Sequence, residues 1–463
     1  MSKSVKLVLG AAVVAAVYVG SSWYVGGRVQ EEVQKQATVV QDFLNTNSSV
    51  ALFDQKRSFT ISHYERGLFS STVHYEVELA DQDNDLSVTF EDKIYHGPLP
   101  IAAGHFTPAL AVAEGRVLET ETVQAWFEAA QNPIPYQSKT VFGFDGNVTG
   151  KAEFAALNYI ELDSQTQLQT DPVDVLYDYH KKTGAVKLDL HAPKLTLQDE
   201  NQLNLVLNRL DVHVASNQNP EQAHYQSTMH LEAVTLRSAE TGSLELKGVQ
   251  VSVNSQSANE LLHGTAHYGA QQVWAEGIDW GRLNFDVKLK NIHQGLINEM
   301  SVVMDSEEPE DELKLRRLIG DFLSHQPEIE QAKLVWANDS GSSLINTRMS
   351  PAPALVEYFK NDVELRDELG QVFTVLDLDI SLSRPMLQKL MGEDNLMAAM
   401  FDMMFESSVE VGTELGLVTY DGTQVRLLFQ FDAAQNTLLL NGKPITEQEL
   451  VQLFFALQMG GLL

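Results

Sequence analysis

The sequence predicts an α+β protein in which a large curved antiparallel β-sheet with packed helices is attached to one N-terminal transmembrane helix. Three observations lead to this prediction. An uncharged run opens the chain, apolar and polar residues alternate along much of the remainder, and the phase of that alternation changes inside two long segments. Alternation with a period of two is typical of antiparallel strands that have one buried and one wet face. Phase changes of this kind are what β-bulges produce, and bulges bend a sheet.

Residues 1–30 are predicted to be a signal anchor. Residues 7–27 contain no charged side chain, and a helix of that length spans roughly 30 Å, the thickness of a bilayer's hydrocarbon core. Lys3 and Lys6 precede the run without acidic neighbours, so the positive-inside bias keeps the N-terminus in the cytoplasm. We therefore expect a single-pass inner-membrane protein with the bulk of its chain in the periplasm.

A cleaved signal peptide is the alternative interpretation of this segment. Gly20 and Ser22 are small enough for a cleavage site. The uncharged run is longer than the apolar region of a typical signal peptide, and this favours retention.

The charge balance is strongly acidic. The net charge is −31; because residues 1–30 carry three cations and no acids, the remainder carries −34. Such a surface repels nucleic acid and anionic lipid, keeps a protein soluble, and favours a basic partner. The chain has no cysteine, which excludes disulfides, a lipoprotein anchor and cysteine-ligated metals.

Residues 31–49 are predicted to form a stalk helix and linker, because apolar residues recur at helical spacing from Val33 to Leu44. Residues 50–463 are predicted to form one β-rich periplasmic body. Alternation predicts its strands at 58–63, 72–79, 86–91, 139–144, 147–154, 186–191, 203–214, 244–253, 283–289, 332–337, 343–349 and 372–382.

Turn residues and phase changes refine this pattern. Asp-Gly pairs at 145–146 and 421–422 predict hairpins. The phase of alternation changes at 208–209 and at Gly248, where we expect bulges. We expect these bends to leave the sheet as a half-open trough.

Helices are predicted at several points within the body. Helical insertions are expected near 305–325 and 385–406, with a short helix near 122–130. A candidate helix at 171–180 has Asp171 as its cap and Pro172 in its first turn. A C-terminal helix at 446–458 opens with a capping box made by Thr446 and Glu449.

The short motifs at 64–71, 96–100, 420–422 and 440–444 resemble those of the YdgA-like family, uncharacterised envelope proteins of Gram-negative bacteria. They run from the N-terminal anchor almost to the C-terminus. The residues that carry the resemblance include Tyr64, Arg66, Gly67, Phe69, Gly97, Pro98, Asn441 and Gly442. The resemblance implies an inner-membrane-anchored periplasmic protein; it implies no catalytic residue.

Candidate ligand sites are few. No catalytic, phosphate-binding or dinucleotide-binding motif occurs, so we expect neither an enzyme nor a cofactor. Asp81, Asp83 and Asp85 have the opening spacing of a calcium loop, but Leu86 replaces its glycine. His263 and His267 are four residues apart in a strand context, so no metal site is predicted. Asp377 and Asp379 lie two residues apart on one strand face, where a carboxylate pair could act together in catalysis, but most such pairs are simply solvated.

The methionines are more suggestive. Half of the 12 methionines fall within 19 residues: Met386, Met391, Met397, Met400, Met403 and Met404. Methionine suits both irregular cores and surfaces that accept varied apolar ligands, and both roles stay open at this point. We expect a scaffold that binds lipid or hydrophobic segments in the trough. The alternative is a cell-envelope assembly or scaffolding protein that acts through protein contacts. The sequence does not specify an oligomeric state.

Overall fold

The computed structural model describes residues 56–66, 70–81, 84–96, 103–161, 165–199, 203–217, 223–239, 242–304, 311–366, 368–391 and 395–459. The predicted anchor and stalk lie outside these residues. Within them, no helix is both long and apolar enough to cross a bilayer. The predicted architecture of antiparallel sheet with a few helices is confirmed. The chain divides into two compact units. The first unit contains the described residues before Pro220 together with Met229–Ser243. The second unit contains Pro220–Thr228 together with the described residues from Leu244 onward.

In its described residues the first unit is an antiparallel sheet of mostly successive strands, with a short α-helix, α1 (Gln124–Ala129). Each strand from β1 to β6 pairs with the next, β6 pairs with β9, and β9 to β11 continue the order. The short strands β7 and β8 pair with each other, and β8 also pairs with β10. The strands are β1 (Lys56–Arg66), β2 (Ser70–Asp81), β3 (Asn84–His96), β4 (Ala111–Val117), β5 (Tyr136–Phe142), β6 (Val148–Phe154), β7 (Leu157–Ile160), β8 (Gln167–Thr170), β9 (Val173–His180), β10 (Ala185–Gln198) and β11 (Asn204–Asn217).

One face of this first sheet is filled by the unit's own side chains. Phe90 meets Tyr136 edge-to-face with ring centroids 5.4 Å apart, and both rings are fully buried. Trp126 of α1 joins the same core. Gly150 lies opposite Tyr177, and a Cβ at Gly150 would stand 2.2 Å from the tyrosine ring. Close contacts of this kind are typical of a packed protein interior.

The division between the units falls within two long strands, β12 (Ala223–Ser238) and β13 (Gly242–Ala258).

The second unit is also a meander. Helices are inserted after β15, β17 and β18, and a further helix follows β22. Pairing runs from β13 through β18 to β20, β21 and β22, while β19 pairs with β20. Its further strands are β14 (Leu261–Ala275), β15 (Ile278–His293), β16 (Glu328–Asn338), β17 (Gly341–Pro351), β18 (Phe373–Ser383), β19 (Thr419–Tyr420), β20 (Gln424–Asp432), β21 (Thr437–Leu440) and β22 (Lys443–Pro444). Its helices are α2 (Gln294–Met304), α3 (Asp311–Ser324), α4 (Pro353–Asn361), α5 (Leu369–Val372), α6 (Arg384–Leu390), α7 (Asn395–Glu414) and α8 (Glu447–Met459).

The capping box predicted for the last helix is confirmed. The backbone N–H of Glu449 donates to Thr446 Oγ1 at 3.2 Å. In return the backbone N–H of Thr446 donates to Glu449 Oε2 at 2.7 Å. The hairpins predicted at the two Asp-Gly pairs are confirmed as well.

The prediction of a helix at 171–180 is wrong, because Val173–His180 form the strand β9. Asp171 and Pro172 imitate a helix start, but Val175 and Tyr177 alternate with more exposed neighbours and are buried in the first core. Strand pairing on both sides of β9 therefore outweighs the local capping signal.

The prediction of bulges at 208–209 and Gly248 is not confirmed in the pairings of β10 with β11 and of β13 with β14. The register of β10 with β11 and of β13 with β14 passes both points without an extra residue. Arg209 (φ 47°) and Gly248 (φ 58°) instead adopt the left-handed conformation, and this changes the phase of alternation without lengthening the strand. True register shifts occur elsewhere, for example between Lys288 and Leu289.

Candidate functional site: an exposed apolar face

A row of apolar side chains crosses seven strands of the second unit. Each member lies directly opposite the next in the antiparallel ladder, so all of them project to the same side of the sheet. The row consists of Val251, Tyr268, Phe285, Leu334, Ile345, Ile380 and Leu427. We call this side of the second unit's sheet the apolar face.

A neighbouring row repeats the pattern two residues along each strand. It consists of Val253, Ala266, Val287, Ala332, Thr347, Leu378, Phe429 and Leu440. Thr347 is its one polar member, and its hydroxyl donates to the Asp377 carbonyl at 3.0 Å. The apolar face therefore presents no unsatisfied polar group in this second row.

Large side chains on the apolar face are open to solvent over β14 to β17. Tyr268 is 45 % exposed, Ile345 40 % and Phe285 36 %. The Tyr268 and Phe285 rings stack with centroids 6.3 Å apart. Aromatic and branched side chains exposed side by side mark a surface suited to an apolar ligand or partner.

The same face is covered over β18 to β21. Phe429, Phe431 and Leu440 are buried there, and Leu450 and Leu453 of α8 pack against them. Leu417, which follows α7, completes this cover. The protein thus covers one part of the apolar face with its own C-terminal elements.

The opposite face of the sheet is polar and carries cross-strand ion pairs. His267 Nδ1 lies 2.7 Å from Asp286 Oδ1. Lys288 and Lys290 both contact Glu330, and hydrogen bonds from Lys288 and then Lys290 lower the pKa of that carboxyl. A sheet with one charged and one apolar face has a clear preference for which side meets water.

The Asp377–Asp379 pair belongs to this polar side. Asp379 accepts two hydrogen bonds from Arg426, at 3.0 and 2.9 Å. Desolvation raises the pKa of Asp377, although the charge of Arg348 opposes the shift. The two carboxylates therefore lie in different environments, and Asp379 is held in an ion pair.

The predicted methionine cluster divides into two environments. Met386 is fully buried beside Gly341 and Ser343, so it is a core residue. Met391 is half-buried, and the side chain of Met397 lies outside the described part. The remaining three, Met400, Met403 and Met404, are exposed on α7 by 48, 67 and 64 %.

The motif residues that can be placed have structural roles. In the first unit Tyr64 donates a hydrogen bond to Ser71 Oγ at 3.3 Å. In the second, Asn441 (φ 53°) donates from Nδ2 to the Gly416 and Leu417 carbonyls and accepts from the Leu428 N–H, each at 3.0 Å. Gly442 follows it, also left-handed, at φ 74°. The side chain of Arg66, together with Gly67, Phe69, Gly97 and Pro98, lies outside the described residues.

No group of His, Asp or Glu side chains in the described part of the chain could hold a metal ion. His267 is engaged with Asp286, while His263 Nδ1 accepts from the Asn291 N–H at 3.4 Å. Asp81 pairs with Asn84 across the β2–β3 hairpin, where the sequence favoured a plain turn over a calcium loop, and Asp83 lies outside the described residues.

Two concave surfaces accompany these features. A groove of about 880 Å³ in the first unit is lined by paired charges, among them Arg116 with Glu91 at 2.8 Å and Lys151 with Glu153 at 2.5 Å. A cleft of about 780 Å³ in the second unit lies between Tyr420, Asn441 and α8. Both are less apolar than the row through Phe285.

Sequence reasoning identified the alternation in β15 but not the row to which it belongs. Tyr268 and Ile345 were missed because their importance comes from register. The signal in the sequence was that each of the segments 283–289, 332–336 and 376–380 has an apolar residue at every second position.

The described part of the chain is thus an antiparallel β-sheet protein whose second unit has one charged face and one partly uncovered apolar face. The family of bacterial proteins of unknown function DUF945 matches residues 1–448. The chain therefore belongs to the DUF945 family, and the resemblance to YdgA-like proteins is confirmed.

Individual relatives agree with this assignment. Protein YdgA of Escherichia coli is 20 % identical over 98 % of this chain and 97 % of its own length. An uncharacterised protein of Haemophilus influenzae is 28 % identical to this chain, and the match covers 40 % of this chain and 50 % of that protein. The uncharacterised E. coli protein YihF is 28 % identical over 31 % of this chain and 32 % of its own. No solved structure matches, and neither the family description nor these names assign a reaction.

Proposed function

We propose that this protein is a membrane-anchored periplasmic protein that binds a lipid acyl chain on its apolar face. The row from Val251 to Leu427, open at Tyr268, Phe285 and Ile345, is the observation that carries the proposal. The uncharged segment at 7–27 supplies the membrane anchor.

The dimensions of the row suit an acyl chain. Seven strands spaced about 4.8 Å apart give a row roughly 29 Å long. The hydrocarbon core formed by two leaflets of chains is about 30 Å thick, so one chain needs roughly half of the row. Burying the exposed parts of the tyrosine, phenylalanine and isoleucine would drive the association.

Photocrosslinking in cells tests this proposal with a control on the neighbouring strand. A photoreactive benzoylphenylalanine replaces Phe285 on the apolar face, and in a second variant it replaces Thr265, which is exposed on the polar face opposite Lys288. We expect mass spectrometry to find lipid adducts at position 285 and none at 265. Equal lipid labelling at both positions, or none at 285, contradicts the proposal. Polypeptide adducts at 285 would instead identify the occupant as a hydrophobic protein segment.

A second candidate function, assembly or scaffolding through protein contacts, is favoured by a separate observation. The three exposed methionines of α7 stand on one side of a long helix, away from its packed side. This surface is distinct from the apolar face of the sheet, so the two functions are tested independently.

A further inference from the structure

We propose that α7 is the docking surface for a basic amphipathic helix of a partner protein. The inference rests on the second proposed function and names the chemistry of the partner. It does not depend on lipid binding by the apolar face.

The exposed methionines form a stripe on α7. Successive residues of an α-helix are about 100° apart, so Met400, Met403 and Met404 lie within one sector of roughly 100°. Phe401 and Phe405 lie on the opposite side and are half-buried. The stripe is therefore the outward side of a helix whose packed side is already satisfied. We call Met400, Met403 and Met404 the methionine stripe.

Arg384 holds α7 in this orientation. Its Nη2 contacts Asp402 Oδ1 at 3.0 Å and Glu406 Oε1 at 2.8 Å. Its guanidinium lies over the Phe405 ring, 5.6 Å from the centroid. Phe405 in turn meets Tyr420 edge-on, with centroids 6.2 Å apart. A helix fixed by ion pairs and rings on its inner side presents a pre-organised surface, and pre-organisation lowers the entropic cost of binding.

Charge determines which partner fits. Glu410 and Glu414 are four residues apart and lie C-terminal to the stripe, and α7 contains no lysine or arginine. The C-terminal end of the helix adds the negative pole of its dipole next to Glu410 and Glu414. An anionic membrane surface is repelled by this arrangement, whereas a helix with apolar and cationic sides is attracted to it.

Methionine suits the apolar side of such a partner, because its flexible and polarizable side chain adapts to apolar faces of different shape. An amphipathic helix laid along α7 would bring its apolar side onto Met400, Met403 and Met404. Its cations would then reach Glu410 and Glu414. Apolar anchors that recur at helical spacing are the usual means by which one amphipathic helix recognises a partner.

Binding of defined probes to the full chain, reconstituted in vesicles of neutral lipid, tests the proposal. The probe is a fluorescent amphipathic peptide of about 18 residues, five helical turns, built from leucine and lysine. A peptide with glutamate in place of lysine is the charge control. We expect only the basic peptide to bind, and its affinity to fall as salt is raised.

Two sets of variants locate the site. Met400→Gln, Met403→Gln and Met404→Gln together should weaken binding roughly tenfold or more, because the apolar contact is lost. Leu313→Gln on α3 is the matched control, since Leu313 is 65 % exposed but lies on another helix; it should leave binding unchanged. Glu410→Gln with Glu414→Gln should reduce the salt dependence.

Several results would overturn the inference. They are equal weakening by Leu313→Gln, no weakening by the triple methionine variant, or comparable binding of the acidic peptide. A photoreactive residue replacing Met403 in cells tests the scaffolding function itself. A constant crosslinked protein without peptide binding rejects only the basic-helix chemistry, whereas no constant crosslinked protein rejects the scaffolding function and this inference with it.

Discussion

The apolar face of the second unit has two parts with similar chemistry and different surroundings. Over β20 and β21 it carries Phe429, Phe431 and Leu440, which are buried beneath α8 and the segment after α7. Over β14 and β15 it carries Tyr268 and Phe285, which remain more than one-third exposed. Successive strands pair with one another from one part to the other, so both parts belong to one face of the sheet.

The difference lies in the connections rather than in the strands. The C-terminal part of the chain supplies Leu417, Leu450 and Leu453 as a cover. The β14–β15 connection is too short to supply one, because only Glu276 and Gly277 separate the two strands. We infer that the covered part serves stability and that the open part is available for binding. Substitutions in the two parts test this inference.

The largest expected effect comes from truncating one phenylalanine in each part. Phe431→Ala should lower the stability of the second unit by about 3–5 kcal/mol, as removal of a buried aromatic ring does. Phe285→Ala, on the same face but 36 % exposed, should cost about 1 kcal/mol or less. Hydrogen exchange of β20 and of β15 measures the two losses locally, which is appropriate for a chain of two units. Equal losses would show that the open part is in fact structural.

The second effect comes from the residue that fastens part of the cover. Asn441→Ala removes three hydrogen bonds, two of them to the carbonyls of Gly416 and Leu417, and places alanine at a left-handed position. We expect a loss of about 2–3 kcal/mol and faster exchange in β20 and β21.

The matched variant for this prediction is Asn441→Gly. Glycine tolerates the left-handed φ, so this variant should lose only the hydrogen bonds and be less damaged than Asn441→Ala. If the two variants unfold alike, the backbone conformation does not contribute and that part of the explanation fails.

These contrasts also indicate what the sequence could and could not reveal. Strand β15 was predictable because alternation from Leu283 to Leu289 has no competing local signal. At β9, in contrast, Asp171 and Pro172 are good helix-start residues, and only the neighbouring strands make 173–180 extended. Local preference is a weak guide wherever tertiary pairing opposes it.

The candidate site was less predictable than the fold. Phe285 lies opposite Tyr268 across the β14–β15 hairpin and opposite Leu334 on β16, which follows only after two helices. Alternation within one strand does not reveal the register of either pairing. Composition also gave no means to separate Met386, which is in the core, from Met403, which is exposed. The motif residue Asn441 was visible in the sequence, but its bonds to Gly416 and Leu417 were not.

The smallest expected effect is at the start of α8, the helix that covers Phe431. Thr446→Ala removes the cap hydroxyl, which accepts from the Glu449 N–H. We expect a loss of about 1 kcal/mol, typical of a helix cap, with faster exchange at the start of α8 and little change in β15. Gln448→Ala, next to the cap and exposed, should leave α8 unaffected. An equal effect of the two substitutions would contradict the capping role.

The cap also predicts how the cover responds to acid. The Thr446 backbone N–H, and then its hydroxyl, donate to the Glu449 carboxylate and lower its pKa. A carboxyl with a lowered folded-state pKa stabilises the fold above its unfolded pKa of about 4.3, and this contribution is lost as the pH falls through the lower folded value. Protection factors in the first turn of α8 should therefore be constant from pH 7 to about pH 5 and decrease at lower pH. Glu449→Gln should lower protection at neutral pH and remove that decrease; an unchanged acid response in this variant would assign the pH dependence to another carboxyl group.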